Sequence, residues 1–158
     1  MKKTGPPSAL EAHLGYWMRF VSNQVSAEFQ QAVEASGVSV TDWVALRTLF
    51  DADSGGESSA THATLTQALG MTKGAVSKVV ARLEDKGLVG RAEAPSDARS
   101  HTLSLTSAGR ALVPVLAAKA DANDEKFFGH LPAAERQRLA RLLQEMVRRH
   151  QWLEVPRS

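Results

Sequence analysis

The chain has 158 residues, a length that suits one domain or one protomer of a small oligomer. Hydrophobic residues make up 43% and charged residues 23%, which is typical of a globular protein and not of a disordered one. The absence of cysteine excludes a disulfide scaffold, a thiolate zinc site and a cysteine nucleophile. No apolar run reaches the roughly 18 residues of a membrane span, and the N-terminus lacks a signal-peptide pattern. We therefore expect a cytoplasmic protein without membrane partners.

The charge of the chain is small in total but unevenly distributed. The 19 Lys and Arg residues against 17 Asp and Glu residues give a net charge of +2. Residues 60–110 hold seven basic against four acidic residues, whereas residues 40–59 hold one basic against four acidic. This local basic excess is more informative than the total charge. It comes largely from Lys73, Lys78, Arg82, Lys86, Arg91 and Arg99.

The first third of the chain predicts two helices and a loop. Apolar residues recur every three or four positions over residues 8–37, and Gly37 suits the end of that helix. Such a helix has about 28 residues and a length of roughly 40 Å, so we expect it to pack against a second chain. A second helix begins after Ser39 or Thr41 as N-cap and continues to Phe50. Residues 51–59 are acidic and rich in glycine and serine, which predicts a loop.

The middle of the chain predicts two short helices and a β-hairpin. A helix over 63–69 is followed by a tight turn at Gly70 and by a helix with Thr72 as N-cap. The second of these helices places four apolar residues on one face and small or basic residues on the other. The apolar residues are Val76, Val79, Val80 and Leu83, and the opposite face holds Gly74, Ser77, Lys78, Ala81 and Arg82. Strands over 88–93 and 101–105 then flank a turn over 95–99.

Two more helices are predicted after Thr106. The first contains Pro114, where we expect a kink, and Pro132 opens the second at its first helical position. The predicted fold is therefore mainly α with a small β-hairpin.

A short helix, a tight turn and a second helix with a slim basic face predict a helix-turn-helix that enters the major groove of double-stranded DNA. Lys78 and Arg82 are candidates for guanine edges or phosphates, with Lys73 and Gly74 on the same surface. Thr72, Ser77 and the free N–H groups of the helix start suit phosphates. The hairpin then acts as a wing.

The wing holds three further candidates. Arg99 reaches the minor groove or the backbone, and Asp97 holds its guanidinium. Arg91, at the start of the wing, is either structural or a phosphate contact.

Three segments resemble the MarR family of bacterial transcription regulators. They are the run from Leu69 to Arg91, the tripeptide Asp97-Ala98-Arg99, and Leu105-Thr106-Ser107-Ala108-Gly109. The resemblance implies a homodimer with two wings and two reading helices on palindromic DNA. It also implies four regions: a disordered N-terminus (1–7), a dimerisation helix (8–37), a winged helix-turn-helix (38–105) and C-terminal dimerisation helices (106–155). The acidic segment 51–61 and Leu131, at a position often held by a serine cap, depart from the family pattern.

The resemblance further implies a small aromatic or phenolic effector that weakens operator binding. It places the first and second helices beside the pocket, which makes His13, Trp17, Phe20, Trp43 and Arg47 the candidates. A guanidinium next to indole rings suits an aromatic carboxylate. Core and dimer packing is the alternative role for the two tryptophans. The histidines lack metal-binding spacing, so we expect no metal and no cofactor.

Three functions compete for this sequence. We expect a ligand-responsive DNA-binding regulator, most often a repressor. An enzyme is disfavoured because the chain has no phosphate loop, dinucleotide fingerprint or nucleophile elbow. A winged-helix adaptor that binds proteins without DNA is the alternative, since Lys73, Lys78 and Arg82 also fit a solvated helix face, and Asp97 with Arg99 fits a pair that only stabilises a turn.

Overall fold

The computed structural model describes residues 5–54, 60–94 and 97–152, without the side chains of 92–94 and 97–101. Helices dominate and a single antiparallel hairpin interrupts them, as the sequence predicted. In chain order the elements are a 3₁₀ turn (Leu10–Ala12), α1 (Leu14–Glu34), α2 (Val40–Ser54), α3 (His62–Leu69), α4 (Lys73–Asp85), β1 (Val89–Ala94), β2 (Asp97–Leu105), α5 (Ser107–Phe128) and α6 (Ala133–Arg149).

The first helix begins six residues later than predicted. His13 adopts an extended conformation, with φ −90° and ψ 122°, and separates the 3₁₀ turn from α1. The apolar spacing continues across this break, which is why the sequence alone did not reveal it. Gly37 marks the end of the first helical segment as predicted, with a φ of +81° that few other residues adopt. Residues 1–4 of the predicted disordered N-terminus lie outside the described residues.

The second helix begins where predicted and ends later. Ser39 caps it, because the Asp42 N–H donates to Ser39 Oγ (3.0 Å) and the Ser39 N–H donates to Asp42 Oδ2 (2.9 Å). The helix continues to Ser54, so the prediction of a loop from Asp51 was wrong for its first four residues. A contact one helical turn apart supports the extension, between Arg47 and Asp51 (2.9 Å). Residues 55–59 lie outside the described residues.

The hairpin pairs β1 with β2 in an antiparallel register from Val89↔Leu105 to Glu93↔His101. An irregularity after Glu93 brings Ala94 opposite Asp97. Residues 97–99 are therefore the start of the return strand, where the sequence analysis predicted a turn. Leu103 and Leu105 are buried on the core side as the alternation required.

The core joins the C-terminal end of α1, α2, α3, α4, the hairpin and the first half of α5. Its fully buried side chains include Leu46, Leu49, Leu65, Val76, Val80, Leu83, Leu103, Val113 and Leu116. Apart from α1, we call this unit the winged-helix lobe (residues 38–116 that are described).

The start of α5 docks closely on the lobe. Thr106 caps α5 by accepting from the Gly109 N–H (3.1 Å) and donates to the Gly87 carbonyl (2.6 Å). A Cβ on Gly109 would lie 2.1 Å from the Leu88 carbonyl oxygen, so only glycine fits there. This contact explains why the Leu-Thr-x-x-Gly segment needs its last residue.

The helices near the two ends of the chain leave apolar side chains in solvent. No residue of α6 is buried, and its apolar stripe at Leu142, Leu143 and Met146 is exposed. The first half of α1 exposes Trp17 and Phe20 in the same way. Pro114 lies inside α5, which continues through it, and Pro132 is the N-cap of α6, one residue earlier in the helix than predicted. None of the described helices is both long and apolar enough to span a membrane.

Candidate nucleic-acid interface

Helices α3 and α4 form the predicted helix-turn-helix. Gly70 closes α3 in the left-handed conformation (φ +61°), and Thr72 caps α4 by accepting from the Ala75 N–H at 3.2 Å. The two helices are thus joined by a turn of three residues, and α4 presents its free N–H groups beyond that turn.

The N-terminal half of α4 carries a basic face in solvent. Val76 and Val80 point into the core, while Lys73, Gly74 and Lys78 are exposed. Within the described part of the chain, the side chain of neither lysine forms a hydrogen bond or an ion pair. A Cβ placed on Gly74 would meet no atom within 4 Å. This surface is slim and offers donors that the fold does not use, which a major-groove reader requires.

Two hydroxyls on this surface also take part in the fold. Thr72 accepts the helix-capping bond, and Ser77 Oγ donates to the Lys73 carbonyl at 3.0 Å. Ser77 Oγ also lies 3.4 Å from His62 Nε2 of α3. Because a hydroxyl has one donor and two acceptor positions, the Thr72 O–H still has a proton to donate to a phosphate. Contact of either residue with DNA stays a prediction.

The C-terminal half of α4 differs, because its two cations are bound to α2. Arg82 donates to Asp42 Oδ1 from Nη2 (2.6 Å) and Nε (3.1 Å). Lys86 Nζ lies 3.3 Å from Asp42 Oδ2 and donates to the Gly37 carbonyl at 2.8 Å. Asp42 itself is completely buried. Arg82 was predicted as a DNA contact; its guanidinium is bound to Asp42 here while its side chain stays 43% exposed, and contact with DNA stays a prediction.

The environment of Asp42 keeps its carboxylate ionised. Burial raises the pKa of Asp42, but hydrogen bonds from Arg82 and the Ser39 N–H, the Arg82 charge and the Lys86 hydrogen bond together lower that pKa below its ordinary value of 3.8. The group is therefore a buried anion at neutral pH. Sequence spacing gave no signal for it, since Asp42 and Arg82 are 40 positions apart.

The hairpin is attached to α4 by an ion pair. Arg91 of β1 donates from Nε to Glu84 of α4 at 2.6 Å. Whether Arg91 supports the wing or contacts a phosphate stays a prediction. Asp97 and Arg99 belong to β2, but their side chains lie outside the described residues, so their predicted contacts stay predictions.

The five candidate effector residues have different surroundings in the part of the chain that the structure describes. Trp17 and Phe20 lie on the exposed side of α1, and Tyr16 packs edge-to-face against both rings. Trp43 packs against the core of the lobe, and Arg47 pairs with Asp51 in solvent. The His13 ring contacts the carbonyl of Ala9 at 3.0 Å. Their joint role in a pocket stays a prediction.

Comparison with known proteins gives the family. A model of the MarR family matches residues 36–100. The HTH-type transcriptional repressor Rv2887 of Mycobacterium tuberculosis is 32% identical over 136 residues, which cover 86% of this chain and 94% of that protein. The solved structure of Rv2887, described as a MarR family protein in complex with p-aminosalicylic acid, is similar with a TM-score of 0.63, 28% identity and coverage of 85% of this chain and 98% of that chain. The chain belongs to the MarR family.

A second solved structure supports this assignment. The regulator BpsR of Bordetella bronchiseptica has a TM-score of 0.75, 27% identity and coverage of 89% of this chain and 97% of that chain. Its description concerns the regulation of DNA binding by 6-hydroxynicotinic acid. The predicted fold class and family are thus confirmed, and the chain is a MarR-family transcriptional regulator.

Proposed function

We propose that this MarR-family regulator is a homodimeric repressor that binds a palindromic operator through the N-terminal half of α4. The observation that carries the proposal is the exposed face of Lys73, Gly74 and Lys78, whose two ammonium groups have no partner within the described residues. A surface with small side chains and unused cations fits the major groove, where Lys bonds guanine O6 and N7 or phosphates.

The proposed dimer follows from the exposed apolar side chains of α1 and α6. Leu142, Leu143 and Met146 are 39–45% exposed, and Trp17 and Phe20 are about half exposed. Several large apolar side chains exposed on the same helices are costly in water and are typical of a protein interface. Pairing two copies there presents two α4 helices to DNA, whose successive major grooves are roughly 34 Å apart.

The remaining site residues take supporting roles in the proposed complex. Thr72 donates to a phosphate at the start of α4, Ser77 does so when its hydroxyl turns from the Lys73 carbonyl, and Arg99 of β2 reaches the minor groove or the backbone. Arg91 and Asp97 hold the wing in place. Arg82 is assigned a different role below, because its guanidinium is bound to Asp42.

We also propose that a small aromatic carboxylate weakens operator binding. The descriptions of BpsR and Rv2887 both name ligands of this class. The exposed Arg47 guanidinium is paired only with Asp51 in the described residues, so a ligand carboxylate competes with that side chain. Trp17, Phe20 and His13 of α1, with Trp43 of α2, would supply the aromatic contacts.

The test begins with selection of DNA from a random-sequence pool by the wild-type protein. Fluorescence anisotropy then gives the affinity for selected and for scrambled DNA over a salt series. Lys78→Ala is compared with Lys126→Ala, which removes the same charge from an exposed lysine of α5 paired with Glu28. If Lys78 reads a base, its removal costs about 1–3 kcal/mol on selected DNA, or roughly 5- to 150-fold in affinity.

Other outcomes identify the alternatives. If Lys78 contacts only phosphate, the affinity for both DNAs falls by the same factor. The slope of log affinity against log salt concentration (the salt slope) then decreases in magnitude by about 0.9. Equal losses for Lys78→Ala and Lys126→Ala would contradict the assignment of the α4 face. A wild-type protein that enriches no sequence would overturn the proposed function and favour the adaptor.

A further inference from the structure

Within the described residues, the ion pairs between α4 and α2 lie only at the C-terminal end of α4. Lys78, Arg82 and Lys86 follow each other at intervals of four residues and therefore share one side of the helix. Lys78 is free in the described residues, whereas Arg82 and Lys86 both bind the buried carboxylate of Asp42. Three similar cations on one face thus have two different environments.

The cluster joins three parts of the chain. Asp42 lies in the first turn of α2 and bonds the Ser39 N–H, so its carboxylate is fixed by the capping of that helix. Lys86 bonds the Gly37 carbonyl as well, which adds the turn after α1. Arg82 supplies two bonds to a single oxygen, Oδ1. These contacts fix both the rotation of α4 about its axis and its distance from α2.

Stability alone does not explain such a cluster. Removing a carboxylate from water is expensive, and apolar residues of similar volume often stabilise a core at least as well. Buried ion pairs can instead specify one geometry among several of similar energy. Even a small rotation of α4 about its axis would move Lys78 and Lys73 relative to the base edges.

We propose that Asp42, Arg82 and Lys86 are positioning residues: they hold α4 in its reading orientation and withhold Arg82 and Lys86 from DNA phosphates. The cluster thereby increases the discrimination between operator and other DNA. Phosphate contacts strengthen binding to any sequence, so withholding two cations from phosphates lowers the affinity for operator and for other DNA alike, and the gain in discrimination comes from the fixed orientation of α4. This inference rests on the proposed function.

The test compares Asp42→Asn with Asp51→Asn. Both variants remove one negative charge from α2, but Asp51 is exposed and pairs only with Arg47 in the described residues. Anisotropy measures the affinity of each for wild-type-selected DNA and for scrambled DNA over a salt series. For Asp42→Asn we expect the ratio of the two affinities to fall about tenfold or more, the scale of one misplaced base contact. Scrambled DNA should bind as tightly or tighter, with a salt slope larger by up to about 0.9 per released cation.

A second variant covers the case in which Asp42→Asn does not fold. Lys86→Gln keeps the Arg82–Asp42 pair and removes the ammonium group that contacts both Asp42 and the Gly37 carbonyl. We expect it to lower affinity for selected DNA several-fold and to leave scrambled DNA unaffected. If Lys86 were a direct phosphate contact, both affinities would fall equally and the slope would shrink by about 0.9, which would overturn the proposal.

The remaining outcomes separate the two proposals. A specificity ratio that stays at the wild-type value in Asp42→Asn and Lys86→Gln overturns the positioning role alone. An equal fractional loss of affinity for selected and for scrambled DNA indicates a smaller folded fraction, and it also overturns the positioning role alone. A wild-type protein without sequence preference overturns the proposed function and this inference together.

Discussion

The winged-helix lobe and the helices at the ends of the chain differ in how far they bury their apolar side chains. The lobe buries Leu46, Leu49, Leu65 and Leu83 completely within one chain. Helix α6 buries none of its residues and leaves Leu142 45% exposed. The lobe therefore completes its core within one chain, whereas the end helices leave apolar side chains in solvent, where the proposed dimer would cover them. In that dimer the lobes would read DNA and the end helices would bring two lobes together.

The largest effect on operator affinity is expected at the exposed apolar stripe of α6. Leu142→Glu combined with Met146→Glu should dissociate the dimer, because two carboxylates would have to be buried in the apolar contact. Each lobe would then bind one half-site alone, and operator affinity should fall by about 10²- to 10⁴-fold. Sedimentation and anisotropy measure the two effects. Gln144→Glu changes the opposite side of α6 and should leave the protein dimeric. A Leu142→Glu/Met146→Glu protein that stays dimeric would show that this face of α6 is not the dimer contact.

The next effect concerns the junction of the two regions at the start of α5. Gly109→Ala places a methyl group 2.1 Å from the Leu88 carbonyl oxygen, so the backbone of α5 or of the segment before β1 must shift. We expect the free energy of unfolding to fall by about 2–3 kcal/mol, the cost of overpacking a close contact. Urea denaturation checks this value. An unchanged urea midpoint would show that the backbone at this junction accepts the methyl group without loss of stability.

A smaller effect, inside the lobe, depends on pH. Asp42→Asn should lower the free energy of unfolding at pH 7 by about 1–3 kcal/mol, because partly exposed Arg82 and Lys86 lose their anionic partner. The pKa of Asp42 is lowered in the folded state, so its contribution is complete above pH 3.8 and is lost as the pH falls through the lowered value.

Urea unfolding at several pH values compares wild type with Asp42→Asn. The difference in stability should stay constant from pH 7 to pH 5 and narrow below pH 4. Asp51→Asn should cost less than about 1 kcal/mol, as exposed pairs do. A difference for Asp42→Asn that narrows as the pH rises would contradict the lowered pKa.

The smallest effect is expected at the reading surface of α4. Gly74→Ala adds a methyl group that meets no protein atom within 4 Å. It should therefore stabilise the helix by about 0.5–1 kcal/mol, in contrast to the same change at Gly109. Operator affinity should fall, because the methyl group enters space that the DNA needs. Destabilisation by Gly74→Ala would show that this surface is not free.

Local signals predicted much of the lobe. The spacing of Val76, Val79 and Val80 gave the inner face of α4, and Thr72 and Gly87 gave its limits. These features depend on neighbours in sequence, so propensity and capping rules apply to them directly. The alternation of Leu103 and Leu105 gave the inner face of the wing in the same way.

Contacts between distant residues could not be predicted. Asp42 and Arg82 are 40 positions apart, and nothing near Arg82 indicates that its guanidinium is occupied. The start of α1 was missed because apolar spacing continues through the extended His13. The acidic end of α2 was assigned to a loop on composition, whereas Arg47 and Arg110 neutralise Asp51 and Asp53 there.

A hydroxyl-radical footprint of the wild-type protein on its selected DNA shows directly whether a dimer reads the operator through α4. Two reading helices in one dimer predict two protected segments about one helical turn, or 10–10.5 base pairs, apart and related by a two-fold sequence symmetry. Protection should weaken in both segments for Lys78→Ala. A single protected segment without symmetry, or protection that is the same on scrambled DNA, would contradict a dimer that reads sequence through α4.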